Sequence, residues 1–341
     1  MRGRELTKKI LLHEEAERLP RDIWTVPYIG MFRQDEMDRF LEMYPRDFTG
    51  PAGLRYGDSR YSGGIPYRKG KYVDEFGCEW EVMEDGVAGE VKNPVIKTRA
   101  DLDNYKMPWE ILDEMKWDGQ TQAYKDTDLF VLCGSHIRPF ERMQFLRGSE
   151  QLFIDIALED PIFLKMKEML HEFYVRELKL LAPLAVDGIS FMDDWGAQRS
   201  LLISPAVWRK HFKPMYKEYC DIIHDAGKFA FFHSDGHTEA IYGDIVEIGV
   251  DAYNSQLFCM DIDDLAEKYK GKITFWGELD RQNILPFGTE EEVRESVRRI
   301  KRAMLTPKRT GFIAELSWET VTPLSNVIAA YDEFEFEFDK I

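Results

Sequence analysis

Cysteine is scarce: Cys78, Cys133, Cys220 and Cys259 are the four in 341 residues, and none forms a Cys-x-x-Cys pair. Scattered thiols exclude a disulfide framework and point to a reducing compartment, the cytoplasm. No apolar run approaches the roughly eighteen residues of a membrane span, and the charged N-terminus lacks the apolar core of a signal peptide. Positive charge is also short. Against 62 Asp+Glu stand 45 Lys+Arg, leaving −17, which excludes nucleic acids and anionic membrane surfaces as partners. Neither Gly-x-Gly-x-x-Gly nor a Gly-x-x-x-x-Gly-Lys-Ser/Thr loop is present, so dinucleotide-binding and P-loop architectures lose their main support.

What is present has a globular balance, 44% apolar and 31% charged, which argues against disorder. Residues 4–19 read as an amphipathic helix and Ile23–Ile29 as a strand. Residues 44–72 carry six glycines and six basic residues against Asp47 and Asp58, so this stretch is locally +4. It reads either as a lid over a site or as a solvated excursion. Alternation from Tyr72 to Val82, with a turn at Glu84-Asp85-Gly86, predicts a β-hairpin within 72–98. From residue 128 onward, apolar strands alternate with helices. The strands are Leu129–Cys133, Asp187–Met192, Lys228–Phe232, Asp251–Tyr253, Lys272–Phe275 and Gly311–Ala314. Helices are expected from Pro161 to Leu181, Pro205 to Asp225, Ala240 to Ile248, Ile262 to Tyr269, Thr289 to Met304 and Pro323 to Tyr331. Asp160-Pro161 and Ser204-Pro205 are cap-plus-proline starts. This rhythm predicts α/β architecture: one (β/α)8 TIM-type barrel over residues 1–341, with an N-terminal loop and hairpin elaboration at 44–98. The acidic tail 332–341, alternating acid and Phe, reads as an edge strand or a partner-packing segment.

In such a barrel, chemistry sits where strands end. Five successive strands release polar groups there: Asp193-Asp194-Trp195-Gly196-Ala197-Gln198, His233-Ser234-Asp235-Gly236-His237, Asn254-Ser255-Gln256, Glu278 and Glu315. Asp193 and Asp194 are adjacent, so one faces the site and the other serves the next helix. His233 is either a site base or a satisfied structural histidine, and Asp235 either a ligand or a cap. Glu278 is either a site carboxylate or the partner of Arg281. The candidate catalytic residues are Asp193, Asp194, His233 and Glu315. Candidate substrate contacts are Trp195, Gln198, Tyr253, Asn254, Trp276 and Glu278. His233, Asp235 and Glu315 form a candidate metal set, with zinc as the ion, because imidazole and carboxylates bind it and a catalytic site keeps a position open.

These segments resemble the uroporphyrinogen decarboxylase superfamily, which includes cobalamin-dependent methyltransferases. The resemblance rests on Tyr72-Val73-Asp74-Glu75-Phe76-Gly77-Cys78-Glu79-Trp80, on Asp193-Asp194-Trp195-Gly196-x-Gln198 with Ile203-Ser204-Pro205, and on Phe232-His233-Ser234-Asp235-Gly236. Phe275-Trp276-Gly277-x-Leu279-Asp280-x-Gln282 and Thr322-Pro323-x-x-Asn326 extend it over almost the whole chain. Two departures bear on the reaction. Met31-Phe32-Arg33-Gln34-Asp35-Glu36 keeps only Arg-Gln of the family's porphyrinogen-binding arginine motif. Where thiol-activating zinc methyltransferases of the superfamily use His-x-Cys and a later Cys, Asp235 stands at the first Cys position. Only Glu315 and Glu319 stand near the second.

The resemblance therefore implies methyl transfer from a small O- or N-methyl compound to a separate corrinoid protein. The cobalamin would then belong to the partner, and an acid or a metal would activate the leaving group. The alternative is a decarboxylase or lyase on a smaller anionic substrate, guided in by Arg55, Arg60 and Arg68. A barrel that only binds a partner is the third reading. A homodimer is left open.

Overall fold

The computed structural model describes residues 3–335. Seven strands form one parallel sheet: β2 (Phe48–Thr49), β3 (Phe130–Gly134), β4 (Gly188–Met192), β5 (Phe229–Ser234), β6 (Ala252–Ser255), β7 (Thr274–Trp276) and β8 (Phe312–Ile313). Each pairs with its neighbour in chain order, as successive β-α units require. The first strand, β1 (Trp24–Thr25), pairs in parallel with Ser317–Trp318 just beyond β8. On its other side the Asp47 N–H donates to the Arg21 carbonyl at 2.9 Å, and the Phe130 N–H to the Asp47 carbonyl at 2.8 Å. The segment leading into β1 thus bridges β8 and β2 and completes the eight-stranded ring. The expected (β/α)8 fold is the one observed.

Local chemistry explains most boundaries. Asp160 and Ser204 cap helices Pro161–Leu181 and Pro205–His211 through their side chains, each followed by proline in the first turn. Thr289 and Glu292 form a capping box at helix Glu290–Met304.

Several expectations need correction. The first helix spans Gly3–Leu11 and stops where His13 turns to a φ of 54°. The strand expected over Ile23–Ile29 is cut to β1 because Pro27 begins a short helix, Pro27–Phe32. The helix expected from Pro205 to Asp225 breaks at Phe212, since Pro214 has no N–H for the continuing ladder; a second helix runs Lys213–Asp225. Segment 44–72 is not structureless, because it contains barrel strand β2 and the short strand Leu54–Arg55. The hairpin is a three-stranded antiparallel sheet, Gly70–Val73, Glu79–Val82 and Glu90–Asn93. Asp332 to Glu335 continue helix Leu324–Glu335, where Phe334 is buried and Asp332 and Glu333 pair with Arg294 and Arg298. They form no edge strand, and the rest of the acidic tail lies outside the described residues. Among those residues, no helix is long and apolar enough to cross a membrane.

Candidate active site

The ends of β4 and β5 touch directly. A Cβ on Gly236 (φ 79°) would meet the Gly196 carbonyl oxygen at 2.2 Å, so the two rim loops approach this closely only with glycine on both sides. That contact sets Asp194, His233 and Asp235 side by side.

The adjacent aspartates have opposite roles. Asp193 is fully buried; its carboxylate accepts from the Phe140 and Glu141 N–H groups at 2.7 and 2.8 Å and from the Tyr216 hydroxyl at 2.6 Å. It anchors the start of helix Pro139–Arg147, so it is not the catalytic group its rim position suggested. Asp194 turns the other way. Its Oδ1 lies 3.5 Å from His233 Nε2 and accepts the Asp235 N–H at 2.9 Å.

His233 is held from behind. Asn254 Nδ2 donates to the Trp276 carbonyl at 2.5 Å and to Glu315 Oε2 at 2.8 Å. With both amide hydrogens committed, Asn254 Oδ1 faces His233 Nδ1 at 2.6 Å, and Nδ1 must donate. In the neutral ring Nε2 is then the nitrogen with the lone pair, and it lies 3.5 Å from both Asp194 Oδ1 and Asp235 Oδ1. Glu315 and Asn254 are therefore positioning residues. Asn254 Oδ1 and Nδ2 are engaged within the protein, and Glu315 lies outside the candidate metal cluster, which is Asp194, His233 and Asp235.

The residues that can hold a metal are Asp194, His233 and Asp235, whose ligand atoms lie within 4.8 Å of one another. They fit one. Asp235 Oδ1 is buried without a hydrogen-bond partner, His233 offers a lone pair, and burial pushes Asp194 above the usual carboxylate range, a cost a cation relieves. One imidazole and two carboxylates suit a borderline-to-hard divalent ion such as zinc.

Around this triad the rim is acid-rich. Asp235 Oδ2 bonds Arg281, whose Nη1 lies 3.6 Å from Glu278 Oε1 and 3.7 Å from Glu319. The expected Glu278–Arg281 pairing is thus present but loose. Glu278 is 2% exposed, and burial pushes it up to about 8. Burial, reinforced by Glu278 and Asp22, holds Glu315 well above the usual range. Glu278 therefore holds a proton at neutral pH. Gln198 and Glu278 line a mouth pocket of about 310 Å³ together with Gln256, Cys259 and Arg281.

The three aromatic residues expected to contact substrate, Trp195, Tyr253 and Trp276, are buried. Trp195 is fully buried, stacked on Phe140 at 4.3 Å with its indole N–H on the Tyr216 hydroxyl. Tyr253 is stacked on Phe232 and bonds Thr238. Both are core residues. Trp276 is 2% exposed, donates to Asp22, and props the ring of Trp24, which lies 5.1 Å from His233. Trp24 is the site aromatic that sequence reading missed. His136, Arg138 and Glu141 were missed too. The rim rule applied to β1 and β3 would have found Trp24, His136 and Arg138. Arg60 and Arg68, read as guides for an anion, are tied to Glu110 and Asp85.

Among curated proteins, none matches the sequence. A methyltransferase from Methanosarcina mazei shares the fold at TM-score 0.69 and 13% identity, covering 98% of each chain. An endo-beta-1,4-xylanase from Gloeophyllum trabeum superposes at TM-score 0.44 and 8% identity, over 96% of this chain and 99% of its own. The model of the family Uroporphyrinogen decarboxylase (URO-D) matches residues 72–334. The chain belongs to the uroporphyrinogen decarboxylase family.

Proposed function

We propose that the protein moves a methyl group from a small O- or N-methyl compound to the cobalt of a separate corrinoid protein. The observation that carries this reading is the His233 Nε2 lone pair between two carboxylates, fixed by Asn254, at the mouth of a barrel. The fold shared with a methyltransferase supports it, as does family membership without the family's arginine motif.

In the reaction the methyl carbon bonds to reduced cobalt and its bond to oxygen or nitrogen breaks. Both electrons of that bond stay on the leaving atom, which must gain a proton or share its charge. A divalent ion on Asp194, His233 and Asp235 would supply Lewis acidity for that charge. Glu278 lines the mouth and holds a proton at neutral pH, so it serves as the donor to the leaving atom. Trp24 gives an aromatic face beside His233 for a ring or a methylammonium.

The test is methyl transfer to free cob(I)alamin from a panel of methoxyaromatics and methylamines, with metal analysis of the same preparation. Transfer that His233→Ala removes, together with bound metal lost in that variant, supports the reading. No transfer in either direction from any donor, with metal loaded, overturns it.

A further inference from the structure

A second cavity, about 1170 Å³, lies between the inserted three-stranded sheet and the rim beyond β3. Tyr72, Trp80 and Phe145 line it, with the rings of Tyr72 and Trp80 stacked and Phe145 edge-on to Trp80. His136, Arg138 and Arg142 bring positive charge to it. Arg142 is consumed: it donates to Asp74 at 2.6 Å and Glu75 at 3.0 Å. His136 is consumed too, through Nδ1 on Glu177 at 2.7 Å, a buried carboxylate that also accepts from the Tyr56 hydroxyl. Arg138 differs. Among the described residues no carboxylate lies within 4.0 Å of it, and the hydrogen bond its guanidinium makes is to Met192 Sδ at 2.6 Å. Glu141, one turn on, has Oε2 buried without a hydrogen-bond partner and forms no ion pair with Arg138. The Arg138 guanidinium bonds Met192, the last residue of β4, from which the chain runs directly into Asp193 and Asp194, so its charge lies on the same stretch of rim as the candidate metal triad.

We propose that Arg138 is an anion anchor: the groove takes a small, flat, singly charged molecule, an aryl carboxylate, whose carboxylate pairs with the Arg138 guanidinium. The aromatic lining suits a ring, the single unspent guanidinium suits one carboxylate, and planar bidentate pairing is what this side chain does best. The same groove would reject a polycarboxylate, because its other cations are already paired. This names the charge of the methyl donor and rests on the proposed reaction for the chemical step after binding; the anchor itself is read by binding alone.

Equilibrium binding of 4-methoxybenzoate and of neutral 4-methoxybenzamide is measured by quenching of tryptophan fluorescence and by calorimetry on the metal-loaded chain. The wild type is expected to prefer the acid by roughly tenfold or more, the strength of a charge-assisted bond. Arg138→Gln should bind both compounds alike, and Arg138→Lys should keep part of the preference. Arg138 is half-exposed, so all three proteins should melt together. Equal binding of the two compounds by the wild type overturns the proposal, as does a preference that survives in Arg138→Gln. A preference with no methyl transfer to cob(I)alamin from any donor of the panel supports the anchor and removes the methyltransferase reading.

Discussion

The inserted sheet and the rim of β4 to β8 differ in how they dispose of charge. In the insertion and its surroundings, cations and anions cancel locally: Arg60 on Glu110, Arg68 on Asp85, Lys71 on Glu79, and Arg142 on Asp74 and Glu75. At the rim, Asp194, Asp235, Glu278, Glu315 and Glu319 face Arg281 and His233, and Asp235, Glu278 and Glu315 each keep a buried oxygen without a hydrogen bond. Paired charge holds a shape. Polar atoms left without partners in a dry site are costly and persist where they are used. Arg60, Arg68 and Lys71 of the basic stretch 44–72 are thus neutralised by neighbours, whereas the rim keeps carboxylate oxygens without partners.

The largest break in that comparison comes from removing the imidazole of the candidate metal triad. His233→Ala should lower methyl transfer by about a thousandfold and strip metal, with little change in melting temperature; steady-state rates and elemental analysis read this out. Next come the twin aspartates. Asp193→Ala strands two backbone N–H groups and the Tyr216 hydroxyl and should cost about 3 kcal/mol in chemical denaturation. Asp194→Asn should leave folding nearly intact and lower metal affinity by about ten- to a hundredfold.

Glu278 gives a smaller, pH-dependent effect. Its folded pKa of about 8 lies above the unfolded value, so the folded state binds the extra proton between the two. That contribution is present at low pH and falls away as pH rises through roughly 5 to 8, and activity should decline above about 8 as the donor empties. Melting curves across that range should flatten in Glu278→Gln, and an unchanged slope would refute the assignment. The smallest effect belongs to the insertion. Arg60→Gln and Arg68→Gln break exposed pairs and should leave both activity and melting temperature essentially unchanged. A sharp loss of turnover in either would reverse the comparison between the two regions.

The barrel was legible because each strand is a short apolar run and each helix has a cap or proline start, signals contained within about twenty residues. The rim was legible because strand ends share one face. His233, Asp194 and Asp235 follow from that rule alone. Reading failed where a side chain's direction depends on what docks against it. Trp195 and Tyr253 follow strand-end and strand positions that look like a site wall, yet the helices Pro139–Arg147 and Lys213–Asp225 and the layer around Phe232 bury them. Trp24 was missed although its strand was expected, because its place at the site depends on packing against Trp276 and His233, which lie far along the chain.

The sequence by itself determined a parallel barrel, its rim and the residue types available there, because periodicity, caps and strand ends are local properties. Only the tertiary structure decided which aspartate caps a helix and which meets His233. It also decided that Glu315 acts through Asn254, and that Arg138 is left unspent while Arg142 and His136 are not. Those assignments depend on partners 20 to 60 residues away or more, brought together by packing, and no local pattern encodes the direction in which a side chain finds its hydrogen bond.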